Sequence, residues 1–222
     1  MIESAKQNLF FEYRFEFIGL LLTTILFGGA FFPALFFQDY VLPFVILALS
    51  FSAINLSKGK HPIFRILSYL FSGMTILLLI LRMISKQEGY LQSSSLIIFI
   101  LFFGLLSFLV FEQMFLEKDV NHNIIIAAFD NYLLLGLIGA MIFNLIHLHT
   151  PNAFVGISPG TGVLDKTLYF SFITLTSIGY GDITPDHQLS EKVTAFFGLV
   201  GHFYSVVIVG IIVGKYVANK TS

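Results

Sequence analysis

"TLTSIGYGD", residues 174–182, is the stretch on which the reading of this chain turns. It is a run of hydroxyls and glycines, with Gly179 and Gly181 flanking Tyr180 and Asp182 closing it, set between two long apolar segments. The run is too polar for a buried helix and too short for a domain linker. Its meaning comes from its surroundings.

Those surroundings are a membrane protein's. The 222 residues are 56% hydrophobic and 11% charged, with a mean hydropathy of +0.87, whereas a soluble domain carries about 25% charged residues. A net charge of −1 gives no reason to expect nucleic acid. Cysteine is absent, which excludes disulfides and thiolate metal sites and leaves the redox compartment unreadable. Residues 1–14 interleave Glu3 and Glu12 with bases, unlike a cleavable signal, and read as an interfacial segment with Phe10, Phe11 and Tyr13 at headgroup level.

A spanning helix needs about 20 apolar residues. Candidate spans lie at 15–37, 41–57, 63–84, 95–116, 124–148 and 192–218, with Pro33 near the end of the first and Pro43 in the short second. A kink at Pro33 is tolerated there. The fold class is therefore an all-α membrane protein of six spans, with the quoted run between the fifth and sixth. Lys58, Lys60 and Arg65 crowd the second loop and place it in the cytoplasm with both termini, although Arg82 and Lys86 fall on the outer side.

Residues 150–164, with two prolines and three glycines, read as an exposed turret. Asp165 then suits a helix N-cap, and "DKTLYFSFITLT" suits a helix of about three turns. Such a helix cannot cross a bilayer, so it must re-enter, and irregular backbone after it must line water or lie within protein. Residues Ser177 to Gly181 are then extended backbone with carbonyls facing an aqueous axis, where glycine permits conformations closed to other residues. An ordinary glycine turn between helices is the bland alternative.

The run resembles the filter signature of tetrameric P-loop potassium channels, whose TVGYG form replaces an ion's hydration shell with carbonyl oxygens. Thr176, Ser177, Ile178, Gly179, Tyr180, Gly181 and Asp182 fit that signature in order. The resemblance covers about residues 165–215, and more loosely 124–218. It implies that Ser177, Ile178, Gly179 and Tyr180 coordinate K⁺ through carbonyls, with the Ser177 hydroxyl at the innermost site. It also implies that Asp182 braces the filter against Tyr169 and Phe170. Ser177 stands where threonine is commoner, and Tyr169–Phe170 where many relatives carry tryptophan, so the innermost site and the brace are expected to be looser.

One chain supplies one filter strand and has no second GYG, so a closed filter requires a homotetramer, and a single-chain four-loop transporter is excluded. The resemblance assigns cavity and gate to Gly201, His202, Ser205 and Val209 in the sixth span. Gly201 stands at the depth of the family's hinge, with close packing as the alternative. Gly210 and Gly214 read as a helix-packing pair. His202 would face the cavity, where a protonated imidazole repels K⁺; a neutral imidazole bonded to a neighbouring helix is the other reading. His147, His149 and His187 are expected to be ordinary residues of the outer mouth.

Six spans with the loop between the last two is also the voltage-gated layout. The span 95–116 has no Lys or Arg and only Glu112, so residues 15–120 read as a four-helix, sensor-like domain without gating charges, and 121–222 as the pore domain. Weak voltage dependence follows. Asp130 is expected to be paired locally. The short stretch after the last span leaves regulation to the filter, the cavity, lipid or a separate regulatory subunit. The expected setting is the bacterial cytoplasmic membrane. No nucleophile–base pair, helix-spaced metal pair or phosphate loop points to an enzyme, and K⁺ is the only ligand implied. The alternatives are a poorly selective cation channel and a non-conducting scaffold or modulatory subunit.

Overall fold

The computed structural model describes residues 13–33, 36–58, 60–84, 89–116, 122–158, 160 and 162–221. Residues 1–12 of the expected interfacial segment, and Lys86 of the outer-side bases, lie outside the described residues.

The helices follow the hydropathy pattern. They are α1 (Arg14–Phe31), α2 (Leu42–Leu56), α3 (Pro62–Ile84), α4 (Gly89–Leu116), α5 (His122–His149), α6 (Val163–Leu175) and α7 (Gln188–Thr221). Among the described residues four stretches are long and apolar enough to cross a membrane: Arg14–Phe31, Pro62–Leu81, Gln92–Met114 and His122–His149. Helix α2 is apolar but shorter.

Pro33 ends α1 instead of kinking it. The residue before a proline is driven out of the helical region, and Phe32 is extended at φ −118°, ψ 149°. The chain resumes as a π-helical turn, Phe37–Val41, that runs into α2. The Phe37 ring lies on Gly28, where a Cβ would collide with it. Pro43 sits in the first turn of α2, directly after the π-helical turn.

Helix α5 is the centre of the packing. It lies against α1, α4, α6 and α7. A single apolar cluster draws Phe15 and Leu22 from α1, Leu49 from α2, Leu106 and Val110 from α4, Leu134 and Leu137 from α5, and Ile208 from α7. Thus α1 and α4 dock on the α5 of their own chain.

Cross-links mark the two ends of the bundle. At one end the buried Arg14 donates through Nε to Gln113 Oε1 (2.8 Å), and Lys60 pairs with Glu112 (3.0 Å). At the other, Ser93 Oγ meets His149 Nε2 (3.0 Å).

The turret is less exposed than its prolines and glycines suggest. Phe154–Val155 (β1) pairs antiparallel with Thr184–Pro185 (β2), just after the filter run. Alternate side chains of a strand face opposite ways, so Phe154 turns inward, where it packs edge-on against Phe143 and Phe170, while Val155 stays exposed. Ser190 Oγ donates to Ala153 O (2.7 Å) and fastens the same segment to the start of α7.

Candidate functional site

Helix α6 holds 13 residues, about 20 Å of rise, against a hydrocarbon core of about 30 Å. It starts two residues before Asp165, after a left-handed Gly162 at φ 85°. Asp165 is therefore not the cap. It lies in the first turn, where a carboxylate complements the positive end of the helix dipole.

The helix seats on α5 through glycines. Phe172 fills the space at Gly136, and Ser171 fills that at Gly139. Ser171 Oγ, fully buried, donates to Gly136 O at 2.7 Å.

The end of α6 is the beginning of the filter run. Ser177 N–H donates to Thr174 O (3.0 Å), and Ile178 N–H to Ile173 O (2.9 Å). These two bonds form a Schellman cap, whose left-handed position is usually glycine. Here Ser177 occupies it, at φ 59°. The Thr176 hydroxyl turns back to Phe172 O (2.6 Å), so it serves the helix end.

Positive φ then recurs at every second residue: 59° at Ser177, 54° at Gly179 and 80° at Gly181, with Ile178 and Tyr180 on the negative side. In a β-strand successive carbonyls point to opposite sides. Alternation between left- and right-handed residues is the backbone pattern that can turn them to one side. The side chains at the centre of the run lie open. Ile178 is 54% and Tyr180 70% exposed, and a cavity of about 330 Å³ lies beside the run, lined by Phe170, Thr174, Ser177 and Gly179 among others.

Of the two aromatics expected to brace Asp182, Tyr169 is the one that faces it. The Tyr169 hydroxyl meets the Asp182 carboxylate, and partial desolvation, that hydrogen bond and the nearby charges raise the phenol above its ordinary range. Phe170 points the other way. It is 3% exposed and sits edge-on to Phe143 and Phe154. Adjacent residues on a helix diverge by about 100°, so one cannot join the other at the same partner.

On α7, Gly201 is buried directly under the end of α6, and a Cβ there would strike the carbonyl of Leu175. His202 and Ser205 are exposed within the chain, and Ser205 Oγ donates to Gly201 O (2.9 Å). The Val209 side chain lies outside the described residues. Among the described residues nothing lies within 4 Å of a Cβ at Gly198, Gly210 or Gly214, so the packing expected of the last two finds no surface there. Asp130 departs from expectation as well: it is wholly buried with no hydrogen-bond partner on either oxygen. Among the described residues no three His, Asp or Glu gather as a metal site.

Three residues at this site were not foreseen: Tyr132 and Ser171, which bond to main-chain carbonyls of neighbouring helices, and Tyr204, whose hydroxyl donates to Ala128 O (2.8 Å). The available signal was a tyrosine inside an apolar helix, whose buried hydroxyl must find an acceptor.

Residues 131–218 match the family model described as "Ion channel", and that segment is an ion-channel domain. In its detail the chain is similar to the "Two-pore potassium channel 2" of Arabidopsis thaliana, 44% identical over 46 residues. That alignment spans 20% of this chain and about a tenth of the plant protein's length. The resemblance to P-loop potassium channels first drawn from residues 174–182 stands on both matches. No solved structure matches the chain.

Proposed function

We propose that this chain is the subunit of a homotetrameric, potassium-selective channel that conducts passively through residues 176–181. The reading rests above all on the alternating backbone of Ser177, Gly179 and Gly181, directly after a capped helix end. Carbonyls of Ser177, Ile178, Gly179 and Tyr180, together with the Ser177 hydroxyl, are the K⁺ ligands. The negative end of the α6 dipole at Leu175 favours a cation in the cavity below. The similarity to a plant potassium channel supports the choice of ion.

Four copies are needed because one backbone presents one column of oxygens. The exposed apolar face of α7 supports assembly: Phe196, Leu199, Phe203 and Val206 are each at least 60% exposed in the single chain and recur at helical spacing. We place six spans in the membrane, with residues 15–120 as a sensor-like domain lacking gating charges and 121–222 as the pore domain. Both termini face the cytoplasm of a bacterial inner membrane. Conduction is largely independent of voltage, His202 confers sensitivity to cytosolic acid, and regulation comes from lipid or a separate subunit.

The test is K⁺ efflux from liposomes holding the purified full chain, with Ba²⁺ as blocker and the mass of the detergent-solubilised particle measured alongside. The proposal expects Ba²⁺-sensitive efflux from a four-chain particle. Sealed liposomes would leave the scaffold reading, and an equal Na⁺ leak the unselective one.

A further inference from the structure

The carbonyl of Leu175, the last residue of α6, is a junction of three helices. From α5, Tyr132 Oη donates to it at 3.0 Å. From α7, Gly201 lies against it with no room for a side chain. The next residue, Thr176, begins the filter run.

The two flanking helices are also joined to each other at this level. The rings of Tyr132 and Tyr204 lie 5.5 Å apart, and the Tyr204 hydroxyl donates to Ala128 O, one turn before Tyr132 on α5. The Ser205 hydroxyl reaches that of Tyr132. Next along α5, the Asn131 amide oxygen accepts from Ser107 Oγ of α4 at 2.6 Å. Consecutive residues of α5 therefore tie α4 to one side and the base of the filter to the other.

From this geometry we infer that Tyr132 is a positioning residue for the filter: through its hydrogen bond to the Leu175 carbonyl it fixes the innermost ion site against the inner helix. The inference rests on the proposed channel function. The capping bonds of the helix end go to the carbonyls of Phe172, Ile173 and Thr174 and leave that of Leu175 to Tyr132. Leu175 O, near the C-terminus of α6, has no intrahelical donor to receive, and the residue after Thr176 is held in a left-handed conformation uncommon for a side chain larger than hydrogen. A phenol hydroxyl at 3.0 Å satisfies that carbonyl and sets its direction. Movement of α7 at Gly201 presses on the same atom, so the position of the inner helix is felt two residues before the first proposed ion ligand, Ser177. Ser107 and Asn131 give α4 a route to this point that requires no charge to cross the membrane field.

Tyr132→Phe removes the hydroxyl and keeps the ring. In liposomes containing the full chain, Ba²⁺ block reports on the innermost site, and the K⁺/Na⁺ permeability ratio reports on the filter as a whole. The expected result is a roughly two- to ten-fold weaker Ba²⁺ block, the range of one hydrogen bond, with the melting temperature of the assembly moved little. Tyr204→Phe, which keeps the Leu175 bond, should change block less than Tyr132→Phe does. Unchanged block and selectivity in a potassium-selective wild type would overturn the inference and leave the channel reading intact. A lowered melting temperature with unchanged block would assign Tyr132 to packing alone and overturn it equally. A wild type without selective K⁺ flux would overturn both.

Discussion

Gly201 and the carbonyl of Leu175 touch so closely that no Cβ fits between them. The inner helix thus crosses the end of α6 at its point of nearest approach, one residue before the filter run. Close packing accounts for this glycine within the chain without a hinge.

Gly201→Ala follows directly. The obstructing atom is backbone and cannot rotate away, so the substitution should destabilise the protein by about 1–3 kcal/mol, the usual cost of overpacking. Gly198→Ala, with nothing within 4 Å of its Cβ, should be neutral or slightly stabilising within the helix. Thermal denaturation of both variants in detergent gives the comparison; equal melting temperatures would contradict the packing account.

Ser177 carries two opposed demands. Its left-handed backbone favours glycine, and its hydroxyl is proposed as an ion ligand. Ser177→Gly should therefore gain up to about 1 kcal/mol of stability from the relaxed backbone while weakening Ba²⁺ block. Ser177→Ala should lose the block without gaining the stability. Identical behaviour of the two variants would show that the backbone conformation contributes nothing measurable.

Tyr169 faces Asp182, and Phe170 is buried on the other side of the helix; the brace proposed for the pair is tested by removing either partner. Tyr169→Phe and Asp182→Asn should each hasten the decline of K⁺ flux during sustained conduction. The double variant should decline no faster than either single one, because both remove the same interaction. Phe170→Leu should act on stability instead, since its ring belongs to the cluster with Phe143 and Phe154. Additive effects on flux decline in the double variant would separate Tyr169 from Asp182.

His202 is exposed within the chain, on the helix assigned to the cavity wall. Protonation adds positive charge where K⁺ passes, so cytosolic acidification should lower outward current. His202→Gln removes the titrating group and should abolish that response. Patch recordings at stepped internal pH decide it, and an unaltered response in the variant would place the sensor elsewhere.

Much of this was legible in the sequence because it is local. Apolar runs located the helices to within about six residues, and the order of Thr176 to Asp182 carried the resemblance on which the channel proposal rests. What escaped was whatever depends on direction or on distant partners. Pro33 acted on the residue before it and ended a helix whose apolar run continues to Phe37. Phe154 and Pro185 pair across the filter run, and no run of two residues announces a strand. Tyr132 and Leu175 are separated by 43 positions, so only the fold brings a phenol to that carbonyl. The divergence of Tyr169 from Phe170 was within reach, since helical periodicity alone sends neighbours to different faces.

The central claim is that main-chain oxygens around Tyr180, gathered from several copies, select K⁺. The most direct measurement is the reversal potential of the reconstituted protein with K⁺ on one side of the bilayer and Na⁺ on the other. The account predicts a reversal close to the potassium equilibrium potential; a reversal near zero under those conditions would contradict it.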